Sequence, residues 1–84
     1  MDITRRRIIK FALQLDIYDI HTYSGYKGGL ILKITTRNAK TVDAIEEFAK
    51  PMPEIEEVAV KTNVLNQFEI YCVVKDDVYD LKLK

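Results

Sequence analysis

Cysteine, histidine, glycine and proline are all scarce in this 84-residue chain, and each shortage removes a class of explanation. The single cysteine, Cys72, excludes a disulfide within the chain. A reducing, cytoplasmic setting is therefore expected. The single histidine, His21, means that any Ser/His/Asp or Cys/His catalytic arrangement must run through that one side chain. His21 and Cys72 together fall short of the three or more His/Cys ligands of a transition-metal site, so no metal and no other cofactor is expected. The three glycines lie within Gly25–Gly29 and the two prolines are Pro51 and Pro53, so there is no flexible linker, low-complexity tract or repeat. Long apolar runs are absent as well. A stretch such as Gly28–Leu32 is far shorter than the roughly 20 residues needed to span a bilayer. Arg5, Arg6, Arg7 and Lys10 precede no apolar segment with a cleavage site, so neither a secretory signal nor a membrane partner is expected.

Hydrophobic residues make up 48% of the chain and charged residues 31%, the balance of a globular protein and not of a disordered one. The length suits a single domain over residues 1–84, large enough for one modest core. Net charge is zero, but residues 1–40 carry +5 and residues 41–84 carry −5. Such asymmetry accompanies an anion-binding face or an acidic docking face, unless the two halves neutralise each other within the domain.

The segment Phe68–Lys75 reads as the organising strand, rich in β-branched and aromatic residues and free of Gly and Pro. Phe68, Ile70, Cys72 and Val74 share its apolar face; Glu69, Tyr71, Val73 and Lys75 share the other. Upstream, Ile8, Phe11, Ala12 and Leu15, widened by Ile9 and Leu13, recur at helical spacing and predict an amphipathic helix over 3–15 that Asp2 can cap. Strands are expected at Ile17–Tyr23, with Tyr18, Ile20 and Thr22 on the core face, and at Leu30–Thr36. The glycine-rich stretch between them reads as a hairpin turn and matches no phosphate-binding pattern. A second helix over 41–50, capped by Asn38 or Thr41, buries Val42, Ile45, Phe48 and Ala49, and Pro51 ends it. Glu57–Thr62 reads as a further strand, and residues 76–84 as a fifth edge strand or an arm.

The order α-β-β-α-β-β predicts an α+β domain. Its antiparallel sheet has the strand order 17–23, 30–36, 68–75, 57–62, with both helices on one face. This is a ferredoxin-like arrangement in permuted order. The open face of the sheet would carry Ile31, Lys33, Thr35, Lys61, Tyr71 and Val73.

Little in this layout points to catalysis. His21 and Cys72 fall on opposite sides of the sheet, and Glu46/Glu47 and Glu56/Glu57 are sequence neighbours pointing to different sides, so the chain is not expected to be an enzyme. Two features stand out. Arg5, Arg6 and Arg7 occupy the first turns of a helix, where each cation opposes the helix dipole by about 0.3–1 kcal/mol. A bound anion would offset that cost, as would pairing of Arg6 and Lys10 with Glu46 and Glu47. The second feature is Val64 and Leu65 at a loop tip, expected either to fold back over the core or to touch a partner.

The first functional expectation is a non-catalytic protein-binding module, an inhibitor or regulator of the kind encoded by mobile elements and phages. It would dock through Asp43, Glu46, Glu47, Glu54, Glu56, Glu57, Val64 and Leu65. The alternative is a nucleic-acid binder using Arg5, Arg6, Arg7, Lys10, Lys27 and Lys33, with Tyr26 or Tyr71 for stacking. Aromatics and lysines clustered on two central strands would strengthen this alternative. A third, weaker expectation is a small-ligand site formed only in an oligomer. Pairing of an exposed edge at Tyr79–Leu83 would make the chain a homodimer.

Overall fold

A computed structural model of the chain describes residues 3–24 and 30–75. Its elements run α1 (Ile3–Ala12), β1 (Asp19–Ser24), β2 (Leu30–Thr36), α2 (Ala39–Ala49), β3 (Ile55–Thr62) and β4 (Phe68–Val74). The four strands form one sheet in the order β1-β2-β4-β3, with every neighbouring pair antiparallel. The fold is therefore α+β, and the last of the described strands in sequence occupies a central position with partners on both sides.

Register decides the faces. Ile34, Ile70 and Val60 lie side by side, as do Leu32, Cys72 and Val58, and all point towards the helices. Ile8 and Ala12 of α1 and Val42, Ile45 and Ala49 of α2 bury themselves in the same core as Leu32, Ile34, Ile70, Cys72 and Val74. Both helices thus cover one face. The helices also touch each other, with the rings of Phe11 and Phe48 stacked 4.2 Å apart and inclined by only 3°.

Local chemistry sets the boundaries. Asn38 caps α2, its side-chain oxygen accepting from the Lys40 amide at 2.9 Å, so the helix starts earlier than Thr41. β3 begins at Ile55, ahead of the expected Glu57, because a bulge between Ile55 and Glu57 absorbs Glu56 and returns Ile55 to the core face opposite Val74. The β3–β4 turn is held by Asn63. Its Oδ1 accepts from the amides of Leu65 and Gln67, and Asn66 adopts the left-handed conformation (φ 60°) that the reversal requires.

Several expectations are corrected. α1 ends at Ala12, and Leu13, just past it on the outer side, is 66% exposed instead of widening the buried stripe. β1 starts at Asp19, not Ile17, and Tyr18 is exposed beside the Arg37 guanidinium, 5.6 Å from its ring centroid, rather than in the core. The Tyr18 amide still donates to Thr35 O, and the Thr36 hydroxyl donates to Asp16 O at 2.6 Å, so the approach to β1 is anchored without being a strand. Val64 and Leu65 do not fold back over the core; they are 97% and 64% exposed. The Asp2 cap, the 25–29 turn and the 76–84 arm lie outside the described residues.

The facing of β4 is testable. Ile70→Asp places an unpaired carboxylate at a fully buried position, which costs several kcal/mol against a total stability of about 5–15 kcal/mol, and is expected to unfold the domain. Tyr71→Ser, on the uncovered face, should leave a cooperative thermal transition by circular dichroism. Equal losses of Tm would contradict this assignment of faces.

Candidate interaction surface

The uncovered face of the sheet carries the most organised chemistry among the described residues. Three rows of side chains cross it, from β1 through β2 and β4 to β3. They are Asp19, Thr35, Glu69, Lys61; then His21, Lys33, Tyr71, Ala59; then Tyr23, Ile31, Val73, Glu57. Period-two alternation puts these residues on one side, and the strand order makes them neighbours.

Specific contacts fix the rows. Both oxygens of the Glu69 carboxylate are used: the Tyr71 hydroxyl donates to Oε1 at 2.8 Å and Asn63 Nδ2 donates to Oε2 at 3.1 Å. Asn63 therefore links the turn to the face, since its other side-chain atom holds the Leu65 and Gln67 amides. The Lys61 ammonium sits 5.6 Å from the Tyr71 ring centroid, and Lys33 sits 5.6 Å from that of Tyr23. His21 and Tyr23 stand 4.6 Å apart with rings tilted by 56°. The arrangement shifts three acid–base equilibria. Hydrogen bonds from Asn63 and then Tyr71 hold the Glu69 carboxyl below its ordinary range, aided by the charges of Lys33 and Lys61. The same bond to Glu69, with some burial, holds the Tyr71 phenol above its ordinary value. Tyr23, followed by the charge of Glu69, does the same for the Lys33 ammonium.

Of the nucleic-acid candidates, Lys33 and Tyr71 are direct cross-strand neighbours on the two central strands. Arg5, Arg6, Arg7 and Lys10 belong to α1, so the sheet lies between them and that pair. Tyr26 and Lys27 fall outside the described residues. The acidic candidates are distributed over several places. Asp43, Glu46 and Glu47 line the outer side of α2, where Glu46 pairs with Lys50 at 3.2 Å and not with Arg6 or Lys10. Glu54 is half-buried ahead of β3, its carbonyl accepting from the Lys75 amide. Glu56 occupies the bulge and Glu57 the uncovered face. Val64 and Leu65 lie beyond the far end of the eight-residue β3, about 25 Å from Glu54–Glu57.

Sequence parity already put His21 beside Tyr23, but the roles of Asn63 and Glu69 were missed. An Asn at a turn and a Glu in a strand are ordinary there, and only the register brings them to Tyr71. The thiol of Cys72, buried under the helices and pushed up to about 11 by that burial, is a poor nucleophile at neutral pH. Among the described residues no three His, Cys, Asp or Glu side chains converge to hold a metal ion, and no helix is long and apolar enough to cross a membrane.

The Glu69 network gives a pH signature. A carboxyl lowered on folding contributes stability that is complete above the ordinary carboxylate range and is lost as pH falls through the lowered folded value. Carboxyl-carbon NMR is expected to show Glu69 titrating below the ordinary range. Tyr71→Phe should move its midpoint upward, and Asn63→Ala should move it further while also lowering Tm, because the turn loses its acceptor. An unmoved midpoint in both variants would show that the network does not set this equilibrium.

No protein-family model matches this chain, and neither the curated proteins nor the solved structures contain a significant relative of it.

Proposed function

We propose that the chain is a non-catalytic binding module that inhibits or regulates another protein by covering part of its surface, and that the uncovered sheet face is the recognition surface. The observation that carries this reading is the composition of that face. Lys33 and Tyr71 hold its centre, and Ile31 and Val73 form an apolar pair in the adjoining end row, with Ala59 at the β3 edge. His21 and Tyr23 add aromatic area on β1, and Asp19, Glu57, Glu69 and Lys61 bring charges of both signs. Protein interfaces are enriched in Tyr, and side chains already held by hydrogen bonds lose little entropy on docking. The exposed Val64–Leu65 tip at one end of the sheet supplies a peripheral apolar contact, whereas the α2 acids lie on the far side of the sheet and take no part in this surface. The strand order β1-β2-β4-β3 with both helices on one side supports reading the domain as ferredoxin-like in permuted order, an architecture whose open face is free for recognition.

A second reading, binding of single-stranded nucleic acid, is favoured by one observation: Lys33 and Tyr71 adjoin on the central strands, with His21 and Tyr23 beside them. Against it, the lysines of that face, Lys33 and Lys61, stand among Asp19, Glu57 and Glu69, a poor match for a phosphate backbone.

Affinity capture from the source cell, with and without nuclease, tests the choice. Recovery of one protein in both samples is expected, with loss of capture by a folded Tyr23→Ser/Lys33→Glu variant and retention by Arg6→Gln/Arg7→Gln. Loss on nuclease treatment would favour the second reading. Direct binding to a single-stranded oligonucleotide would do so too if log K fell by about 0.7 per phosphate contact for each tenfold rise in salt. Undiminished capture by the sheet-face variant would overturn the assigned surface.

A further inference from the structure

The outer surface of the helical layer is self-complementary in charge. α1 contains no acidic residue between Ile3 and Ala12, and Arg6, Arg7 and Lys10 on it are exposed. α2 carries Asp43, Glu46 and Glu47 on its outer side together with the exposed Lys40, so it is acidic on balance; Glu46 is engaged by Lys50, while Asp43 and Glu47 are exposed. Between these halves lies the Phe11–Phe48 stack, and both rings are only half-buried. Arg7, Lys10 and Gln14 border the same groove as the two rings, so the cations stand next to the aromatic seam.

We propose that this layer is a homodimer interface in which α1 of each protomer lies against α2 of its partner. A two-fold axis along the seam performs the exchange. It carries the basic half onto the acidic half and the acidic half onto the basic, and it sets the two aromatic stacks against each other. An isologous interface requires such self-complementarity. Arg7 and Lys10 are one turn apart on α1, and Asp43 and Glu47 one turn apart on α2, so each pair presents its charge on one side of its helix. The occupant is a second copy because the layer holds both halves of a complementary set. A uniformly anionic partner would meet the α2 acids as like charge, and a cationic one would meet α1 in the same way. Helices of 10 and 11 residues offer a footprint of about 16 Å by 20 Å per protomer, smaller than that of stable specific interfaces. The dimer is correspondingly weak and salt-sensitive. It is also distinct from edge pairing through residues 79–83, and it leaves both uncovered sheet faces pointing outward.

Sedimentation equilibrium of the full chain and two charge-reversed variants tests this. The wild type is expected to dimerise at high micromolar concentration in low salt and to dissociate as salt is raised. Arg7→Glu/Lys10→Glu and Asp43→Lys/Glu47→Lys, each folded by circular dichroism, should separately weaken dimerisation by on the order of 100-fold. Mixing them should restore a heterodimer, since every contact then again joins opposite charges. A wild type that stays monomeric, a dimer that survives both reversals, or folded variants that remain apart when mixed would each overturn the proposal. Should a reversal prevent folding, Arg7→Gln/Lys10→Gln and Asp43→Asn/Glu47→Gln replace the pair. Wild-type association in both of those variants would also overturn it.

Discussion

The backbone of β4 is paired along both sides, with β2 from Leu30 to Thr36 and with β3 from Ile55 to Thr62. Those two ladders are the constraint to which the other contacts refer. They fix the alternation that sends Ile70, Cys72 and Val74 under the helices, and they align Leu32, Ile34 and Val58 beside them. A one-residue slip of β4 would exchange this apolar set for Glu69, Tyr71 and Val73 and so strip the helices of their footing. The register is enforced from both ends: by the Asn63 turn at one and by the Glu56 bulge at the other, which absorbs an extra residue without shifting the rest.

The same alternation gives the molecule two unlike exteriors. On the sheet side, polar groups are tied to one another, with Glu69 saturated by Tyr71 and Asn63 and the lysines laid over tyrosine rings. On the helical side, α1 carries only basic charge between Ile3 and Ala12, and α2 is acidic on balance despite Lys40, with an aromatic seam between them. A neutral chain has thus partly sorted its charge along that layer. Net charge says nothing of this sorting, although the +5/−5 division between the halves of the sequence already hinted at it.

Much of the fold was legible before the structure because periodicity and punctuation agreed. The limits of β2, the central place of β4, the order of the strands and the side taken by both helices all follow from alternating apolar residues and short connections. The misreadings have specific causes. Leu13 fits a helical stripe by spacing, and its amide still bonds Ile9 O, but it falls on the outer side of α1 with Ile3 and Arg6 and stays exposed. Ile17 and Tyr18 have strand-like composition, yet the tie from Thr36 to Asp16 holds them in a non-strand approach. Val64 and Leu65 look like core residues by type, but Asn63, Asn66 and the Leu65 backbone amide close the turn without the Val64 and Leu65 side chains. The candidate surface was half legible: alternation selected its residues, but the Asn63–Glu69–Tyr71 contacts depend on register and on side-chain reach.

The position of β4 bears on how the chain reaches this state. Among the six described elements the central strand leaves the ribosome last. Until it does, β1 and β2 stand as a lone hairpin, marginal in water, and β3 has no neighbour at all. Closure joins residues as distant as Leu32 and Cys72, so the nascent protein waits on a non-local step and meanwhile exposes two unpaired edges to its surroundings. A translation product lacking residues 68–74 would keep the β2 and β3 edges open and so be sticky rather than merely incomplete.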